Sequence, residues 1–442
     1  MGCTEATPNT AVYQPRGPRT SPLYRCVCEH YDELEAGGAI YRQVERCVLD
    51  RFIDCGDLHK GFARIYCDDC GHDYLLAFSC KTRYFCPSCH QKRMLAYGDW
   101  VEEEVFLPVP HRQYVFTVPK LLRPLFHQRH RLGAFSRIVA NLLSDAYAEA
   151  ATWGKPGFIL FVQTFGDLVT FHPHIHALVA DGAFANSGTF RVLPPVPTKL
   201  LVEQLRHAVL DYLVEDEAIT EEFANKLLAW EHSGFSVDNS VHVGANDPEG
   251  RRQLARYMIR TPFSLDKMEY KAKQGMVIYR SKHHATLKRN FQIMPGASWL
   301  KLLLEHIPDR GEHLVRYYGW YSNRSRGDRK GSGGTTSEGE TDSLGQLDSD
   351  QDHPDPEYTK AARSAWARLI KKVYEVDPLK CPHCGGEMRF LAVIEEAPVI
   401  ERILRHIKVW DPSPPLRAPP DEEDWPDNSQ IPLTYHPVPD IA

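Results

Sequence analysis

The sequence has no uninterrupted apolar run approaching the roughly 18 residues that a membrane span needs. Its opening residues, Met1-Gly2-Cys3-Thr4-Glu5, lack the charged-then-apolar layout of a signal peptide. A membrane-embedded or exported chain is thereby disfavoured, and the cytoplasm is the expected compartment. Lys and Arg are missing altogether from residues 338–357, which hold eight acids, and residues 411–442 hold a single Arg against seven acids. The net charge of −6 is therefore a poor guide to the body of the chain. Those two segments account for eight and six negative charges, so the remainder carries +8. Residues 279–330 alone hold eleven Lys or Arg against four acids. A basic body with acidic flanks suits a nucleic-acid partner, although an ordinary solvated face has the same composition.

The 442 residues suffice for about three domains of usual size. Twelve cysteines in a reducing compartment read as metal ligands rather than disulfides. Cys67, Cys70, Cys86 and Cys89 form a C-x2-C-x15-C-x2-C array, with Gly71 and Pro87 letting backbone amides turn toward the thiolates. Four thiolates at this spacing suit a tetrahedral zinc ion. Cys55 and Cys80, with His59, His72 and His90, are candidates for a second site or for replacing a ligand. Cys381-Pro382-His383-Cys384 is half a knuckle that needs partners from elsewhere, with His383 and His406 as local candidates.

Residues 1–21 read as disordered, and 22–105 as a helical region that includes the zinc-binding module. Periodicity then predicts a strand at Gln113–Pro119, a long helix over 121–151 and a strand over Phe158–Phe165. The Gly166-Asp167 turn is so short that the next strand, Phe171–Ala180, should pair antiparallel with the one before it. Two helices over 199–231 follow. Strands at Met276–Arg280 and Thr286–Met294 and a helix at Trp299–Ile307 complete a domain over 106–324. Residues 325–357 read as an acidic flexible linker. Residues 358–410 read as a C-terminal helix and C-x2-C region, and 411–442 as a disordered acidic tail.

The chemistry centres on Phe171-His172-Pro173-His174-Ile175-His176. Strand alternation puts His172, His174 and His176 on one face and Pro173, Ile175 and Ala177 on the other. Neighbouring imidazoles, about 7 Å apart at Cα, can converge on one metal ion. A strand whose histidines merely bond their neighbours is the plain alternative. Gln163 should lie beside them on the preceding strand. A second candidate is the helix over Gly250–Pro262, in which Gln253 and Tyr257 share a face and Arg252, Arg256 and Arg260 form a basic one. That helix could hold a phosphodiester, or bury its tyrosine in a core. Lys288, Arg289, Arg316, Tyr317 and Tyr318 have the basic and aromatic composition of a surface that stacks bases and tracks phosphates.

With these residues in order, the chain resembles the rolling-circle transposases of insertion-sequence family ninety-one, within the HUH endonuclease superfamily. The resemblance spans roughly residues 22–410 apart from the acidic linker. It rests on Cys55-Gly56, Gly61-Phe62-Ala63-Arg64, Phe78-Ser79-Cys80-Lys81, Phe85-Cys86-Pro87-Ser88-Cys89, Gln163-Thr164-Phe165-Gly166, His172-Pro173-His174-Ile175-His176, Leu254-Ala255-Arg256-Tyr257, His313-Leu314-Val315-Arg316-Tyr317-Tyr318-Gly319 and Asp377-Pro378-Leu379-Lys380-Cys381-Pro382-His383-Cys384. It implies an α+β fold: an HUH-type antiparallel sheet with flanking helices, preceded by a small zinc-binding module and followed by a helical, knuckle-like C-terminal region. It further implies a metal-dependent enzyme that nicks and rejoins single-stranded DNA at element ends through a 5′-phosphotyrosine.

In that scheme Tyr257 is the nucleophile and His174 and His176 hold magnesium or manganese. Gln163, Gln253 and His172 are candidates for a further ligand, and zinc has a structural role. Many relatives carry two tyrosines four apart; Gln253 stands at the first position here, so the chain resembles the single-tyrosine variants. The expected partners are single-stranded element ends, target DNA and a second copy of the chain, at the nucleoid. A plasmid replication initiator or relaxase would share the histidines and the tyrosine, and a zinc-dependent DNA-binding regulator would need neither.

Overall fold

A computed structural model describes residues 18–284, 289–332 and 380–410. The expectations for residues 1–17, 285–288, 333–379 and 411–442, including Cys3, Lys288 and most of the acidic linker, lie outside the described residues.

The described chain mixes helices with antiparallel sheets. The largest sheet runs in the order His242–Val243, His111–Thr117, Phe171–Ala180, Gly157–Phe165, Val315–Gly319, with Ser236–Asp238 also beside His111–Thr117. The histidine strand is thus central, paired on both sides, with Thr117 and Gln163 both opposite His174. Both faces of the sheet are covered, so Gly157–Phe165 is buried at every position. On one face Ile175, Ala177 and Val179 pack with the helices Arg129–Ala150 and Thr198–Glu215, whose Leu132, Phe135, Val139 and Leu143, and Leu201, Leu205 and Val209, repeat at helical spacing. On the histidine face, Ile159, Phe161 and Leu178 pack with Tyr97 and Val101 of the helix Pro87–Glu104 and with Ala255 and Met258 of the helix Pro248–Met258.

The helix expected over 121–151 is divided at Gln128, with a 3-10 segment Arg123–His127 before the helix Arg129–Ala150. The helix carrying Tyr257 ends at Met258 rather than near Pro262; a proline pushes the residue before it away from helical backbone angles. Residues 325–332, expected as linker, belong to the helix Asn323–Ser332. A separate three-stranded sheet combines Met268–Lys271, Met276–His284 and Arg289–Pro295.

The N-terminal region holds the helices Pro22–Ala36 and Gln43–Ile53 and the hairpin Phe62–Cys67, Asp73–Ala77. The strand Met388–Ile394 pairs with the free side of Phe62–Cys67, and the helix Ala397–His406 buries Ile400 and Leu404 against Phe62. Residues 380–410 therefore contribute a strand as well as a helix, and they complete the N-terminal module instead of standing apart from it. Among the described residues, no helix is long and apolar enough to cross a membrane.

Candidate functional site

His172, His174 and His176 step along one strand face with ring centroids 5.1 and 4.8 Å apart. Burial drives their imidazoles toward the neutral form: His172 falls to about 4, His174 to about 3, and His176 well below the ordinary range. The His174 Nδ1–H donates to the His172 carbonyl at 2.7 Å, which leaves the Nε2 lone pair of the neutral ring available. His176 Nδ1 lies 2.8 Å from the side-chain amide of Gln113, and its Nε2 is buried with no hydrogen-bond partner. Gln163 donates from Nε2 to the Met258 carbonyl at 2.6 Å while its Oε1 is buried and unpartnered; His172 Nε2 is likewise. Buried acceptors without donors are costly. Neutral imidazole nitrogens and an amide oxygen on one face are donors of the kind a divalent cation accepts. Gln253, by contrast, is exposed, and its amide donates to Glu249 at 3.3 Å.

Tyr257 sits at the open side of this face, 43% exposed, its ring edge-on to His176 with centroids 6.0 Å apart. The Arg260 guanidinium lies 4.4 Å from the Tyr257 ring centroid and 5.5 Å from that of Phe165, and it has no carboxylate partner among the described residues.

The helix under Tyr257 is fastened to Pro87–Glu104. Arg251, 3% exposed, pairs with Glu102, and Asp99 receives Arg252 at 3.0 Å and Arg256 at 2.9 Å. At Gly98 a Cβ would lie 2.4 Å from Arg256 Cγ and 3.0 Å from the Arg252 carbonyl, so glycine is what lets the helices approach. Buried His90, one residue beyond Cys89, bonds the Ile259 carbonyl at 2.5 Å and accepts from the Tyr84 amide at 3.0 Å. The cysteine-bearing start of Pro87–Glu104 is in this way joined to the backbone two residues past Tyr257.

Arg252 and Arg256, expected on one basic face with Arg260, pair with Asp99 and Glu249, whereas Arg260 has no ion pair among the described residues. Residues 316–318, expected on a base-stacking surface, make contacts within the protein. Tyr317 bonds Tyr97 Oη at 3.3 Å, Tyr318 stacks on Phe158 at 5.0 Å, and Arg316 donates to the Gly133 carbonyl, because the strand that carries them packs on both faces. Arg289 lies in the strand Arg289–Pro295.

The turn between the two central strands is strained. Leu168 and Val169 both adopt left-handed backbone, with φ of 56° and 61°, which a β-branched residue avoids. Buried His306 braces it, one ring nitrogen 3.0 Å from the Val169 carbonyl and the other 3.0 Å from Thr164 Oγ1. Sequence reasoning missed Gln113, Asp99 and His306, and it offered His90 as a zinc ligand where the ring instead bonds the Ile259 carbonyl and the Tyr84 amide. Gln113 carried a detectable signal, since it alternates with Val115 and Thr117 on the histidine face.

Eight cysteines gather in two groups of four, and the expected array is divided between them. Cys55, Cys80, Cys86 and Cys89 form one cluster; Cys67, Cys70, Cys381 and Cys384 form the other. Sulfurs around a tetrahedral zinc with bonds of about 2.3 Å stand about 3.8 Å apart. Here Cys55 is 4.0 Å from Cys86 and 3.8 Å from Cys89, and Cys80 is 3.6 Å from Cys89. In the second cluster Cys67 is 3.4 Å from Cys384 and Cys70 is 3.5 Å from Cys381, with the His383 and Gly386 amides donating to sulfur. Both donor sets fit structural zinc. His72 and His383 stack beside the second cluster at 4.1 Å.

Known proteins resemble the chain over both regions. A family model described as "Putative transposase" matches residues 157–329, which contain the histidine strand and Tyr257. A second, described as a transposase zinc-binding domain, matches residues 26–118, which contain six of the eight clustered cysteines. The transposase for insertion sequence element IS801 of Pseudomonas savastanoi pv. phaseolicola is 25% identical over 82% of this chain and 86% of that protein. "Putative transposase y4qJ" of Sinorhizobium fredii is 26% identical over 70% of this chain and 82% of that protein. No solved structure matches. The matched regions and the cysteine clusters define the class, a transposase with a zinc-binding domain. More particularly, the chain belongs to the insertion-sequence ninety-one family of transposases.

Proposed function

We propose that this chain is an HUH-type transposase that nicks and rejoins single-stranded DNA at element ends in a rolling-circle-like reaction. Tyr257 is its nucleophile, residues 106–324 its nuclease domain, and the cysteine-rich region its scaffold. The observation that carries this reading is the exposed Tyr257 hydroxyphenyl ring 6.0 Å from buried His176. His174, His176 and Gln163 would hold magnesium or manganese, and the ion would supply Lewis-acid polarisation of the scissile phosphate.

Tyr257 Oη attacks phosphorus, the bond from phosphorus to the 3′ oxygen breaks, and the departing oxygen takes a proton to become a free 3′-hydroxyl. The 5′-phosphate is left esterified to the tyrosine. Another 3′-hydroxyl reverses the step with no outside energy source, since one phosphodiester is exchanged for another. Arg260, without a carboxylate partner among the described residues and stacked on the tyrosine, steadies the phosphate. The Arg251–Glu102 and Arg256–Asp99 pairs keep the helix from shifting during attack. Gln253 leaves one nucleophile per chain, so strand transfer that needs two draws on a second copy.

Incubating the chain with labelled single strands from the ends of its own element, with and without manganese, tests the reading. The expected result is a covalent protein–DNA adduct that Tyr257→Phe abolishes while strand binding persists. An adduct formed by the Phe variant removes Tyr257 from the role, and full cleavage in EDTA removes the ion.

A further inference from the structure

His174 and His176 are held by partners of different kinds. The His174 Nδ1–H donates to the His172 carbonyl at 2.7 Å, and a carbonyl can only accept, so that ring keeps its proton on Nδ1 and its lone pair on Nε2. His176 Nδ1 instead lies 2.8 Å from the side-chain amide nitrogen of buried Gln113. An amide can donate or accept at that point, because a half-turn about its last bond exchanges nitrogen for oxygen. The Gln113 backbone is fixed, its N–H bonded to the Val241 carbonyl at 3.0 Å, so the side-chain amide is the part that can turn. With the nitrogen facing it, Nδ1 accepts and the ring proton falls on Nε2, which is buried with no acceptor among the described residues. With the oxygen facing it, Nδ1 donates and Nε2 carries a free lone pair.

We propose that Gln113 is a positioning residue for the histidine pair: its Oε1 accepts the His176 Nδ1–H and so fixes the tautomer in which Nε2 is a ligand. The inference rests on the reading of His174 and His176 as the residues that hold a divalent ion. A partner on the far ring nitrogen sets both the tautomer and the direction of a ligating imidazole. Leucine at 113, of similar size, leaves Nδ1 with no partner, and nothing then favours one tautomer over the other. Glutamate is acceptor-only when ionised, so it holds the proton on Nδ1 as the amide oxygen does and makes the ring a stronger donor.

Manganese alone, titrated into the full zinc-loaded chain without DNA and followed by electron paramagnetic resonance of the free ion, reads this role apart from cleavage. The unsubstituted chain should bind an ion that His174→Ala loses. Gln113→Leu should weaken that binding by about 10–100-fold at unchanged zinc content and melting temperature, and Gln113→Glu should bring it back to within about threefold of the parent. Parental affinity in the Leu variant overturns the role of Gln113 while leaving the ion in place. Equal losses in the Leu and Glu variants, the pattern of a packing defect, overturn it too. Nitrogen-15 NMR of the histidine-labelled, unsubstituted chain in magnesium decides the matter where the Leu variant does not fold. The His176 ring, identified by its absence from His176→Ala, should carry its proton on Nδ1, and a proton on Nε2 overturns the proposal. An unsubstituted chain that binds no manganese sensitive to His174→Ala overturns the ion reading and the role of Gln113 together.

Discussion

Cys55, Cys80, Cys86 and Cys89 are all buried and lie within 34 positions of one another. Cys67, Cys70, Cys381 and Cys384 include two exposed sulfurs, and their contacts join positions 311 and 317 apart. The donors are identical and the work differs. The buried cluster anchors the helix start from which His90 reaches Ile259 and Asp99 reaches the arginines under Tyr257. The exposed cluster fastens a distant segment to the edge of a small sheet, closing a long loop whose entropy grows slowly with length. The difference teaches that a zinc ligand set identifies the metal and leaves open what the metal holds in place.

The comparison can be broken most forcefully at the buried cluster. Cys89→Ser should remove its zinc, lower helix content and cut adduct formation about a hundredfold or more, a loss of roughly 3 kcal/mol in transition-state stabilisation. A variant that loses that zinc yet forms adduct normally would separate the cluster from the chemistry. Gly98→Val, which overfills the contact between the two helices, should cost about 1–3 kcal/mol in stability and lower adduct yield about tenfold. Thermal melting and adduct assays together would check it.

Acid provides a graded test of the buried imidazoles. Burial lowers His306 to about 4 and His111 to about 3, against about 6.5 in an unfolded chain. The unfolded state therefore binds protons that the folded state refuses. Stability is full above about pH 6.5 and falls as pH drops from there toward 4. His306→Gln should flatten that slope in pH-dependent denaturation, and an unchanged slope would mean the ring is already protonated in the fold. Cys384→Ser should have the smallest effect on chemistry: one zinc equivalent lost, faster proteolysis within 380–410, and adduct yield within about threefold of the parent. A large loss of adduct would show that both clusters serve the tyrosine.

Some of the site could be read locally. Strand alternation places His174 and His176 on one face, and the short turn makes Gln163 their neighbour; the ladder pairs Gln163 with His174. The fate of the arginines was not legible. Whether Arg256 meets phosphate or Asp99 depends on a helix 157 residues away and on Gly98, which has no side chain to signal the contact. The internal contacts of Tyr317 and Tyr318 were not legible for a related reason: an aromatic strand reads the same on a stacking surface as against a helix, and only the packing on each face distinguishes them.

By itself the sequence determined the donor types, the alternating histidine face and the separation of acidic from basic segments, because each follows from spacings of a few residues along the backbone. The tertiary structure decided which cysteines share a cluster, which arginine stays open, and that Tyr257 faces His176. Those outcomes turn on contacts between segments up to 317 positions apart, where burial and helix packing, rather than spacing, choose the neighbour.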